Sequence, residues 1–179
     1  ILTGLSVSLA FRAGLFNIGG EGQMLVGGFA CAWVGFTLAD WPATLLVPLC
    51  LMAAMVGGAA WATLPALMKV RRGAHEVITT IMMNFIAAAL TNYLVTAHYH
   101  DPETVHTPAI AAAAFLPRLA HWIDGFHGSP ANVTFLIALL AAALVGWLLW
   151  RTRFGFEARA AGINPEAART ARIDVDGQV

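Results

Sequence analysis

The chain has 179 residues, of which 59% are apolar and only 11% charged, where an ordinary soluble domain carries roughly 25% charge. Ten basic and ten acidic residues cancel, so no basic surface for nucleic acid is expected. A mean hydropathy of +0.71 instead places the chain among membrane proteins.

Residues Ile1–Phe11 read as the tail of a membrane span, and the opening at Ile1 suggests a piece of a longer polypeptide. The run Phe16-Asn-Ile-Gly-Gly-Glu-Gly-Gln23 then interrupts two apolar stretches. Lipid offers no hydrogen bonds, so irregular chain at membrane depth survives only inside protein or beside a watery cavity. Transporters build sites from such broken helices, and an ionisable group such as Glu21 beside a span is usually functional. A solvated loop at the membrane face is the plainer alternative. Spans are expected at about Gly22–Ala39 and Pro42–Met68, the second bent by Pro48 and Pro65. Cys31 and Cys50 lie in apolar runs and read as small packing residues, with neither a disulfide nor a metal pair. Ala54, Gly58 and Ala62 recur at a spacing that lets helix backbones approach closely.

The next span, Glu76–Ala97, carries a polar stripe. Glu76, Thr80, Asn84 and Thr91 fall within roughly an 80° sector at 100° per residue. A buried amide such as Asn84 needs partners, either on a neighbouring helix or in a polar ligand. The segment from His98 to Asn132 holds five of the six histidines, but His98, His100, His106, His121 and His127 lack metal-site spacing. A scattered external loop without a metal is expected, with metal binding as the minor alternative. A last span is expected at Val133–Trp150, with the small residues Ala138, Ala142 and Gly146 along it. Trp41, Trp147 and Trp150 mark span ends, where interfacial aromatics gather.

Charge asymmetry orients these elements. Lys69, Arg71 and Arg72 fill one short loop, and Arg151, Arg153, Arg159, Arg169 and Arg172 follow the last span. Both basic regions are therefore expected inside and the 98–132 segment outside, with Arg12 placing the first bend inside too. In the tail, Arg159–Arg172 reads as a loop plus a short polar helix. Asn164 can cap that helix, Pro165 suits its first position, and Glu166, Arg169 and Arg172 complement its dipole. There is no phosphate loop, because Gly19-Gly20-Glu21-Gly22 lacks the lysine and hydroxyl, and no nucleophile–base set is visible. The chain therefore reads as no energy-converting enzyme itself, with no ATPase site of its own and no cofactor expected.

Three stretches carry a family resemblance: Phe16-Asn-Ile-Gly-Gly-Glu-Gly-Gln-Met24, Gly73-Ala-His-Glu-Val-Ile-Thr-Thr-Ile-Met-Met-Asn84 and Ala161-Gly-Ile-Asn-Pro-Glu-Ala-Ala168. With them the chain resembles permease subunits of bacterial ABC importers, in the simple-sugar and nucleoside branch related to the ribose and branched-chain amino acid permeases. The resemblance implies an all-α, polytopic permease bundle in the bacterial inner membrane, with 1–179 as one transmembrane domain of a chain about twice as long. It implies a second permease subunit, cytoplasmic ATP-binding subunits and an extracytoplasmic solute-binding protein as partners. Asn164, Glu166, Ala167, Ala168 and Arg169 would form a coupling helix within the inside segment 151–179. Asn17, Glu21, Gln23, Thr80 and Asn84 are the candidates for the solute pathway. Relatives tend to carry Gly shortly after the Glu-Ala-Ala triplet, where this chain has Arg172. Competing readings are a branched-chain amino acid permease, an ion-coupled transporter using Glu21 or Glu76, and a scaffold that transports nothing.

Overall fold

A computed structural model describes residues 1–101, 104, 106–119, 128–129 and 131–175. Its helices, in chain order, are α1 (Leu2–Arg12), α2 (Gly20–Thr37), α3 (Ala43–Arg72), α4 (Glu76–His98), α5 (Thr134–Arg151), α6 (Arg153–Ile163) and α7 (Pro165–Thr170). A short 3-10 turn covers Ala112–Ala114. Among the described residues the only strand-like pairing is an isolated bridge between Arg118 and Asn132. The protein is all-α.

Helices α3, α4 and α5 are long and apolar enough to cross a membrane. Helix α2 is not among them. It starts two residues before the expected Gly22, and Glu21 and Gln23 enter its first two turns and dilute its apolar character. Pro48 and Pro65 both lie inside α3, which nevertheless continues to Arg72. Gly73 stops it: at φ +63 it takes the left-handed conformation that ends helices, and its N–H reaches the Lys69 carbonyl at 2.9 Å.

The described residues form two compact units. One comprises Gly19–Met68 and Ile78–Phe115. Here α2 and α3 meet at backbone contact. A Cβ on Gly27 would lie 2.7 Å from the Ala54 carbonyl oxygen, and one on Gly57 would lie 3.1 Å from the Ala30 methyl. Ala54 and Gly58 of the small-residue stripe are thus at the crossing. Beyond the far end of α4, Tyr99 meets the rings of Phe29 and Phe36 at 5.8 and 5.9 Å, and Ala111 N–H bonds the Gly35 carbonyl.

The other unit comprises Ile1–Ile18, Lys69–Val77 and Leu116–Val179. In it α1 packs on α5 and α6, and α7 folds onto α6. Of the second small-residue stripe, Ala138 is buried, but a Cβ on Gly146 would meet nothing within 4 Å. The segment Arg159–Ile163, expected as loop, is helical and belongs to α6. Thr152 explains this. Its hydroxyl accepts from Gly155 N–H at 3.2 Å, capping a new helix, and donates to the Leu148 carbonyl at 2.6 Å. An Arg153–Glu157 pair at 2.8 Å supports the first turn, and Gly155, Ala158 and Ala161 make a buried face.

Candidate functional site

The irregular stretch expected around residues 16–23 runs from Ala13 to Gly19, and α2 begins inside the motif at Gly20. The residue before the helix, Gly19, has no side chain to cap it. A helix N-terminus leaves its first N–H groups without partners, and these are costly in an apolar surrounding. Asn84 of α4 supplies the missing cap: its Oδ1 accepts from Gly22 N–H at 2.9 Å. The packing bond expected for a buried amide is therefore made, and it is made to the broken-helix motif itself. Gly22 is buried at this junction, with the Asn84 Cα 3.2 Å and the Trp61 Nε1 3.1 Å from where a Cβ would stand.

Trp61 brings in a residue that sequence reasoning missed. Its Nε1–H is shielded from solvent and finds no acceptor among the described residues. A buried indole N–H ordinarily bonds something. A signal was available: Trp61 sits three residues beyond Gly58 and seven beyond Ala54, on the face that α3 turns to α2.

The other stripe residues are engaged in different ways. Thr80 is buried at 4% exposure, one turn before Asn84. Thr91 Oγ1 donates back to the Ala87 carbonyl at 2.8 Å. Glu76 accepts from Lys69 Nζ at 2.7 Å across the Gly73 turn, which pins the start of α4 to the end of α3. Glu21 is exposed in the first turn of α2, where the helix dipole favours a carboxylate, and Gln23 is half-buried. Asn17, half-buried, belongs to the other unit, so the five candidates are not all gathered in one place within a single unit.

In that other unit the tail helix has the expected termini. Asn164 Oδ1 accepts from Glu166 N–H at 3.1 Å and Ala167 N–H at 3.0 Å, and Pro165 opens the helix. Ala168 turns inward at 3% exposure, while Glu166, Ala167 and Arg169 face out. The helix ends in a left-handed residue, Arg172 at φ +61. Arg172 N–H reaches the Arg169 carbonyl and Ile173 N–H the Ala168 carbonyl, each at 3.0 Å, which is the pattern a glycine usually completes. The position noted for lacking glycine is thus the position that needs it. Just before α7, the end of α6 touches the first bend: a Cβ on Gly162 would lie 2.7 Å from Gly14 N and also clash with the Arg12 carbonyl. Tail and bend are in backbone contact.

Among the described residues no group of His, Cys, Asp and Glu could hold a metal ion; His121 and His127 lie outside those residues. His98 instead packs edge-on against Tyr93 at 5.4 Å.

The sequence profile of the family described as the permease component of the branched-chain amino acid transport system matches residues 1–178. The chain belongs to that permease family. Over 98% of its length the permease is 41% identical to the guanosine ABC transporter permease protein NupP of Bacillus subtilis, covering 49% of that protein. It is 39% identical to the glucose ABC transporter permease protein TsgB13 of Haloferax volcanii over 96% of the chain and 46% of the relative. It is 34% identical to the nucleoside ABC transporter permease protein NupB of Lactococcus lactis over 97% of the chain and 49% of the relative. The chain spans about half the length of these curated relatives. No solved structure matches it. Family membership and three apolar helices together make the permease a multi-pass protein of the bacterial cytoplasmic membrane.

Proposed function

We propose that this chain is the translocating part of an ABC importer permease that carries a nucleoside or simple sugar inward, driven by ATP hydrolysis on partner subunits. The guanosine, nucleoside and glucose relatives support that solute class. In this reading Asn17, Glu21, Gln23, Thr80 and Asn84 serve the solute pathway, with Trp61 as a further donor. Helix α7 docks into a cytoplasmic ATP-binding subunit through Asn164, Glu166, Ala167 and Arg169, with Ala168 holding it on α6. A second permease subunit and an extracytoplasmic solute-binding protein complete the importer. The ion-coupled alternative is not favoured: Glu76 is held by Lys69, and the relatives are ABC transporter permeases.

One observation carries the reading. The N-terminus of the broken helix is capped from α4 by an amide, beside an indole donor that has no acceptor among the described residues. Such a junction offers hydrogen bonds to a polyhydroxylated solute and also changes when α2 moves. The test is Asn84→Asp in the full-length permease with its partners, assayed for guanosine and glucose uptake in proteoliposomes. Aspartate keeps an acceptor for Gly22 N–H but removes the amide donor. Uptake should fall about tenfold or more while assembly with the ATP-binding subunits is normal. Unchanged uptake would assign Asn84 to helix packing alone.

A further inference from the structure

At one end of α5 two cations converge on one aromatic ring. The Arg12 Cζ, from the last turn of α1, lies 5.7 Å from the centroid of Trp150, and the Arg159 Cζ, from α6, lies 4.2 Å from it. Each contact alone is an ordinary cation–π pair. Together they hold two guanidiniums no farther apart than the two distances combined, close enough for one anion to meet both. Among the described residues neither guanidinium has a carboxylate partner or an accepting side chain. The carboxylate nearest to Arg159 in sequence, Glu157, is engaged by Arg153. The C-terminal ends of α1 and α5 attract cations, but peptide dipoles leave most of the guanidinium N–H donors without acceptors. Trp150 itself is 62% exposed.

The surroundings say what anion fits. Leu140, Leu144 and Trp147 are exposed and fall on one face of α5, and that face ends at the exposed Arg151. An apolar strip closed by arginines and an indole matches an acyl chain closed by a phosphate at headgroup level. A soluble phosphate compound would need the cations but not the strip. Arginine is also the side chain whose fork fits a phosphate. We infer that Arg12 and Arg159, which meet over Trp150, together with Arg151, the next residue along α5, bind the phosphate of an anionic phospholipid in the cytoplasmic leaflet, with its acyl chain along α5. The inference rests on α5 lying in the membrane and not on the identity of the solute.

The experiment is native mass spectrometry of the delipidated full-length importer complex titrated with phosphatidylglycerol, phosphatidylcholine or glycerol phosphate. Wild type should retain phosphatidylglycerol at least tenfold better than phosphatidylcholine and should not retain glycerol phosphate. R12Q/R159Q should lose that preference. R151Q, at an exposed residue with no partner to lose among the described residues, should weaken it severalfold with melting temperature unchanged, so a folding defect in the double variant does not blunt the test. R71Q, a basic residue of the other inside loop, should keep the full preference. Equal retention of the two lipids by wild type, an undiminished preference in either R151Q or R12Q/R159Q, or retention of glycerol phosphate equal to that of the lipid would each overturn the assignment.

Discussion

At Gly22 an added methyl would stand 2.9 Å from Asn84 Oδ1 and 3.2 Å from Asn84 Cα. The second of these is backbone, so Gly22→Ala has to push α2 and α4 apart or give up the 2.9 Å bond between them. Overpacking of this kind costs about 1–3 kcal/mol. We expect Gly22→Ala to lower the melting temperature and abolish uptake. Two residues earlier, a Cβ on Gly20 meets nothing within 4 Å, so Gly20→Ala should match or slightly exceed wild-type stability because alanine favours helix. Equal melting temperatures for the two variants would mean the junction is looser than its geometry indicates. The sequence made Asn84 legible as an amide in need of a partner, because an isolated polar side chain in an apolar helix stands out. It could not show that the partner is a backbone N–H of the Gly-rich motif. That bond depends on how α2 and α4 are placed, and no periodicity encodes it. Trp61 escaped for a related reason: a tryptophan in an apolar span looks like packing until its N–H is found without an acceptor.

Helix α7 shows how far local signals reach. Asn164 and Pro165 sit where capping chemistry places them, because a cap involves only neighbouring residues. The inward and outward faces were less legible. Ala167 and Ala168 read alike in sequence, yet Ala168 packs on its own chain and Ala167 faces out. Ala168→Asp would therefore bury a charge and disrupt the tail by itself. Ala167→Asp is the clean probe of docking: it should leave α7 folded and the permease at normal membrane levels, while reducing solute-stimulated ATP hydrolysis at least tenfold. Wild-type stimulation in that variant would leave α7 as a solvated element without a coupling role. Arg172 offers a second test. A non-glycine residue in the left-handed region costs roughly 1 kcal/mol, part of which glycine returns to the unfolded chain as entropy. Arg172→Gly should slow amide exchange across Ala168–Ile173 by a few fold. Faster exchange would mean the arginine side chain holds this end in a way its backbone geometry does not reveal.

On the scale of the whole molecule, composition was enough for a membrane protein and the apolar runs for its spans, while the all-α bundle came with the family resemblance. It was not enough for the tail, where Arg159–Ile163 became part of α6 through the cap at Thr152 and burial on α5. Orientation rests on charge. Lys69–Arg72 and the arginines after α5 are each separated from the 98–132 segment by one apolar span, so they are expected on the opposite face from it. Single cysteines test this in full-length protein with Cys31 and Cys50 replaced, both of which are free thiols. The sites should be chosen for access. Ala161 is 3% exposed and unsuitable, whereas its neighbour Ile163 is 86% exposed, and Ala112 and Arg72 are also open. An impermeant thiol reagent added to intact cells should label Ala112→Cys and leave Arg72→Cys and Ile163→Cys unlabelled; inside-out vesicles should reverse the pattern. Labelling of Ile163→Cys from outside would place α7 on the face opposite the ATP-binding subunits. It could then couple nothing to hydrolysis, and Arg12, Arg151 and Arg159 would face the other leaflet.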